Sequence, residues 1–171
     1  WRQTAAFQAI EAMLVERQAW RLLEANYVRM LKRLPREEAS RPVRVLLYRT
    51  LADLYRNALQ DPDAAGEAWK AVTLLAPDDG EAAVNWAELV TGKAGAELEA
   101  IDAWRKALPV APDLAAAARQ LERLHAKRRN YDAAFVAASV VADLLGQAGP
   151  DEEGILGRLR PFARNQAKGT L

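Results

Sequence analysis

The stretch EAWKAVTLLAPDD, Glu67 to Asp79, is echoed by DAWRKALPVAPD, Asp102 to Asp113. Trp69 and Trp104 stand 35 residues apart, and so do Pro77 and Pro112. The same offset joins Ala65 to Ala100, Ala68 to Ala103 and Leu51 to Trp86. One offset carrying five like or similarly apolar pairs marks a structural repeat, and a period in the mid-thirties is that of stacked two-helix units. Another step of 35 from Trp86 reaches Leu121, and NYDAAFVAASVVADLLG follows over Asn130–Gly146. A degenerate copy precedes them, with AFQAIEAML (Ala6–Leu14) and QAWRLLEANYVRMLKRLP (Gln18–Pro35). Four hairpins are expected, over approximately 4–35, 43–77, 79–112 and 114–146.

Local patterns agree. In RVLLYRTLADLYRNAL (Arg44–Leu59), Leu47, Leu51, Leu54, Tyr55 and Leu59 recur at three- and four-residue steps, the stripe of an amphipathic helix. Asp61-Pro62-Asp63 ends it, and Asp63 or a neighbour is expected to cap the next helix. Ala76-Pro77-Asp78-Asp79 and Pro112-Asp113 each close one hairpin and open another. No segment alternates with the period of a strand, so the protein is expected to be all-α.

The hairpins resemble the tetratricopeptide repeat (TPR), a helix-turn-helix unit of about 34 residues. Tyr48, Leu51-Ala52, Tyr55, Ala65, Trp69, Val72 and Pro77 match its pattern. So do Ala83, Trp86-Ala87, Val90, Ala100, Trp104, Ala107 and Pro112. The last copy offers Leu121, His125, Tyr131, Ala134, Ala138 and Val141, with Gly146 in place of Pro. The first is weakest, with Ile10, Leu14, Trp20, Leu23, Tyr27, Met30 and Pro35. The two central units carry one residue beyond the usual turn, and PREEASRP stretches Pro35–Pro77 to 42 residues. The resemblance implies a right-handed α-solenoid of about four hairpins spanning 1–146. Residues 147–171, rich in Gly and Pro, are expected to form a cap or linker. There Asp151-Glu152-Glu153 opens a short helix continued by Ile155, Leu156 and Leu159. The basic residues Arg158, Arg160, Arg164 and Lys168 follow as a solvated face or a lead into another domain.

Packing gives the shared residues a reason. Helices approach closely where side chains are short, which assigns Ala52, Ala65, Ala87, Ala100 and Ala134 to contact points. The tryptophans read as fillers of the wider gaps rather than as a ligand platform.

Composition excludes much chemistry. The 171 residues balance 24 Lys+Arg against 23 Asp+Glu, so no global field selects nucleic acid or an anionic membrane. There is no Cys and one His, His125, which leaves no usual zinc site and no triad, and no cofactor is expected. His125 stands where the repeat places an aromatic and is read as packed or half-buried rather than catalytic. Neither Ser40 nor Ser139 lies in a nucleophile elbow. TGKAG (Thr91–Gly95) lacks the Ser or Thr after Lys93 that a phosphate loop requires, so it is read as a turn. An enzyme is not expected.

In TPR arrays the first helix of each hairpin lines a concave groove. That implies groove residues Arg49, Asp53, Arg56 and Asn57, then Asn85 and Glu88, then Arg119, Arg123 and Lys127. The groove is expected to be mixed in its middle and basic towards its C-terminal end, suiting a protein or acidic peptide. One TPR subclass holds a chaperone's C-terminal carboxylate with a Lys/Asn/Asn/Lys/Arg clamp. Here Arg49 and Asn85 fit that clamp, but Asp53, Ala116 and Gln120 do not, and Asp53 would repel the carboxylate. The expected function is a non-enzymatic scaffold, in a segment of a larger bacterial-type, cytoplasmic repeat protein opening at Trp1. The alternative is an array that self-associates or stacks on neighbouring repeats. Nucleic-acid binding through the basic stretch 119–129 ranks last, since no aromatics interleave it.

Overall fold

The computed structural model describes residues 2–150 and 152–157, with side chains from residue 8 onward. Eight helices follow one another: α1 (Arg2–Glu16), α2 (Trp20–Arg33), α3 (Arg41–Asp53), α4 (Pro62–Leu75), α5 (Gly80–Thr91), α6 (Glu97–Ala107), α7 (Leu114–Lys127) and α8 (Tyr131–Leu145). A further helical segment covers 152–157. Among the described residues there is no strand. The all-α class and the packing of consecutive helices are therefore as the pattern implied. The chain forms two compact units, 1–77 holding α1–α4 and 78–171 holding α5 onward. Leu159 and the basic residues at 158, 160, 164 and 168 lie outside the described residues.

In the first unit, α1 packs on α2 through Leu14, Leu23 and Tyr27. The Tyr27 hydroxyl donates to the Glu11 carboxylate, and burial followed by that carboxylate pushes the Tyr27 pKa up. Ile10, matched above to a stacking position, is instead 47% exposed. The α3/α4 pair closes over Ala52 and Ala65, both fully buried, with Trp69 at 3% exposure and Val72 fully buried beside them. Arg41 Nε donates to the Leu75 carbonyl, satisfying one of the acceptors that a helix C-terminus leaves open.

The second unit repeats this packing. Ala87 and Ala100 are fully buried, Trp104 is 3% exposed, and Ala107 replaces Val72 without exposure. In α8 the corresponding Ala134, Ala138 and Val141 are fully buried. Equal burial at a 35-residue spacing is the physical content of the echo between the two opening phrases.

The turns repeat as well. Each hairpin reverses through one residue in the left-handed region: Gln18 (φ 52°), Gln60 (φ 53°), Gly95 (φ 78°) and Arg129 (φ 59°). Only one is glycine, the residue that adopts this conformation without steric cost. Side-chain caps follow at the helix starts. Asp61 accepts from the Ala64 amide, Asp79 from Ala82, Asp113 from Ala116 and Asn130 from Ala133. The cap of α4 is thus Asp61, with Pro62 as first helical residue, rather than Asp63. At Pro77-Asp78-Asp79 the second aspartate does the capping.

The extra residue of the central hairpins is placed in two ways. In α3/α4 it is wound into a π-helical turn, Leu54–Ala58, where the Leu59 amide bonds the Leu54 carbonyl five residues back at 3.0 Å. In α5/α6 it lies in the loop that includes Gly95. The first case is a helix defect rather than the longer turn expected.

Candidate interaction surfaces

The expected groove residues fall into one group in each unit. In the first unit Arg49, Asp53, Arg56 and Asn57 lie along one side of α3 and its π-helical turn, with Arg49 half-buried and the others exposed. In the second, Asn85 and Glu88 line a concavity of ≈350 Å³ between α5 and α7, floored by Trp104 and completed by Glu81, Asp113 and Gln120. Its charged lining is acidic. Arg119, Arg123 and Lys127, expected to make this end basic, do not line it.

Lys127 and Arg119 form ion pairs within the unit. Lys127 Nζ meets Glu97 Oε1 of α6 at 2.8 Å, and this hydrogen bond is the main cause of a lowered Glu97 pKa. Arg119 Nε donates to Glu152 Oε1 at 2.7 Å. Glu152 is 1% exposed, and the Arg119 hydrogen bond, opposed by burial and aided by backbone amides including that of Gly149, lowers its pKa. The local design is one half of a capping box, since Gly149 has no side chain to return the bond. Pro150 follows Gly149, the Glu153 amide closes the first helical bond to the Gly149 carbonyl at 2.8 Å, and Glu152 reaches back. Of the acidic start expected for this short helix, Glu152 is a buried anchor on α7, Glu153 is exposed, and residue 151 lies outside the described residues.

His125 of α7 is half-buried, as its aromatic position implied. Burial, then Arg105 and Arg128, lower its pKa, and its buried Nδ1 has no hydrogen-bond partner among the described residues. Glu122 escaped the sequence reading. It stands 35 residues after Ala87, where the two central hairpins place Ala52 and Ala87, and is 2% exposed.

A second concavity was not foreseen. In the first unit a cleft of ≈520 Å³ runs between α2 and α4 over α3. The α3 face beneath it carries Arg44, Tyr48, Leu51 and Tyr55 at steps of four, three and four residues. From α2 and the connection after it come Val28, Leu31, Lys32, Leu34 and Arg36, and from α4 comes Glu67. The Tyr55 hydroxyl donates to Glu24 of α2 at 2.9 Å; burial and that carboxylate push its pKa up to about 12, so it stays a neutral donor. The stretched connection PREEASRP is the sequence signal for this cleft, because it frees α2 from the spacing that a short turn would impose.

Among the described residues no group of three or more His, Asp or Glu is placed to hold a metal ion, and no helix is long and apolar enough to cross a membrane. Set against known proteins, the chain matches no family model and no curated protein.

Proposed function

We propose that this chain is a TPR-like, non-enzymatic interaction module, a solenoid segment of a larger scaffold, that holds a peptide or protein segment in its groove. The observation that carries the reading is the recurrence of one packing unit at 35 residues: Ala52/Ala87, Ala65/Ala100 and Trp69/Trp104 are equivalently buried, as are Val72 and Ala107. A scaffold repeated this way leaves its first-helix faces free to vary. The concavity at Asn85 and Glu88 supplies amides and carboxylates suited to the N–H groups and cations of an extended segment.

A random-peptide display selection on the chain tests it. Enrichment of one sequence class is expected, with binding reduced by Asn85→Ala and Glu88→Lys or by Arg49→Glu and Asp53→Lys. No enrichment, or enrichment indifferent to both pairs, overturns the reading.

A second reading, self-association or stacking of repeats, is favoured by α8. Val136, Val140 and Leu144 form an exposed apolar row at four-residue steps, the first of them 61% exposed. Light scattering decides between the two. A concentration-dependent mass abolished by Val136→Lys with Val140→Lys supports stacking, and a monomer at all concentrations removes it.

A further inference from the structure

The geometry points to a peptide-binding site in the cleft between α2 and α4, separate from the groove, for a segment that combines acidic residues with an aliphatic side chain. It does not depend on the groove reading. At about 100° per residue, the row Arg44, Tyr48, Leu51, Tyr55 and the row Arg49, Asp53, Arg56 point about 140° apart around α3 and its π-helical turn, so they mark different faces.

Three observations define the occupant. The first is shape: ≈520 Å³ lies within the range of roughly 300–1,000 Å³ over which pockets enclose small ligands or anchoring side chains. The second is the apolar lining, with Val28, Leu31, Leu34 and Leu51 presented from two helices and the connection between them. The third is charge. Lys32, Arg36 and Arg44 line the same cleft, and among the described residues none of the three forms an ion pair. Three cations stand against one lining carboxylate, Glu67.

A purely apolar guest would leave the cations unused, and a simple anion would leave the apolar lining wet. An acidic peptide carrying Leu or Ile satisfies both, with carboxylates towards Lys32, Arg36 and Arg44 and the aliphatic side chain against Leu31 and Leu51. Glu67 offers a peptide N–H its acceptor and disfavours a polyanion such as nucleic acid. Charge complementarity then sets selectivity and on-rate more than total affinity.

The test is fluorescence anisotropy on the whole chain with a labelled peptide of two leucines flanked by glutamates. Three comparators accompany it: the leucines replaced by glycine, the glutamates replaced by lysine, and a single-stranded oligonucleotide of equal charge. Saturable binding is expected for the acidic leucine peptide, with each comparator about tenfold weaker or silent. The exposed pair Lys32→Glu with Arg36→Glu should weaken binding about tenfold with an unchanged circular-dichroism spectrum. Arg49→Glu with Arg56→Glu should leave it unaltered. No saturable binding, equal binding by the glycine peptide, or tighter binding by the oligonucleotide overturns the proposal. So does sensitivity to Arg49 and Arg56 in place of Lys32 and Arg36, an outcome that assigns the peptide to the groove and leaves the first reading standing.

Discussion

The Trp104 indole N–H donates to Thr91 Oγ1 at 2.9 Å, and Thr91 in turn donates to the Ala87 carbonyl at 2.7 Å. Trp69, the equivalent residue 35 positions earlier, has a buried Nε1 with no hydrogen-bond partner among the described residues. Position 56, which corresponds to Thr91, holds Arg56, a side chain with donors only. Replacing either tryptophan by Phe removes similar volume, but only at Trp104 does it break a satisfied pair. Trp104→Phe is therefore expected to destabilise more than Trp69→Phe by about 1–2 kcal/mol. Urea denaturation followed by circular dichroism checks the difference.

Gly80 opens α5 where helix propensity alone would favour alanine. An added Cβ there would meet the Val110 carbonyl oxygen at 1.9 Å and the Pro112 ring at 3.3 Å. The obstacle is backbone, which cannot rotate aside as a flexible side chain can. Gly80→Ala should cost about 1–3 kcal/mol, as overpacking does. A thermal scan showing a raised midpoint would refute it.

Arg129 and Gln60 both hold left-handed backbone without being glycine. Arg129→Gly should stabilise by about 1 kcal/mol, the order of the steric penalty removed. Gln60→Gly should gain less, because Gln60 Nε2 also donates to the carbonyls of Asn57 at 2.9 Å and Arg56 at 3.2 Å. Chemical denaturation of the two variants side by side measures the contrast.

Acid should act on the second unit in two stages. His125 has a lowered folded pKa, so the unfolded chain binds more protons just below the ordinary histidine value. Stability is present above about pH 6.5 and declines as pH falls from there through the lowered value. His125→Phe should remove that slope. The Glu152 pKa is lowered too, so its contribution is present above about pH 4.3 and is lost as pH falls through its folded value. Protection against hydrogen exchange at 152–157, relative to the unstructured rate at the same pH, should fall in that lower window, and Glu152→Gln should lower it at neutral pH.

Burial of the alanines and tryptophans was legible because it needs only spacing: a small residue at a helix crossing recurs wherever the crossing does. The expected pairing of Asn85 with Glu88 on one surface follows from helical spacing alone. Other features depend on how elements meet. Gln18, Gln60 and Arg129 give no glycine to announce their left-handed turns, and the Asp78-Asp79 pair offers two equally good caps. Arg119 and Lys127 read as a basic face until Glu152 and Glu97 arrive from outside their helix. The cleft escaped because Lys32 and Arg44 come from different helices, brought together by a connection whose length is visible and whose path is not.

The π-helical turn at Leu54–Ala58 bears on how such a chain lengthens over time. A residue inserted there is stored inside the coil of the helix, so Leu51 and Trp69 keep their neighbours and no loop has to be rebuilt. The left-handed residues of successive hairpin turns lie 42, 35 and 34 positions apart, the first interval stretched by PREEASRP, while the buried alanines hold their places. Single-codon gains and losses at this point would be nearly silent, which makes packing, rather than length, the heritable property of these hairpins.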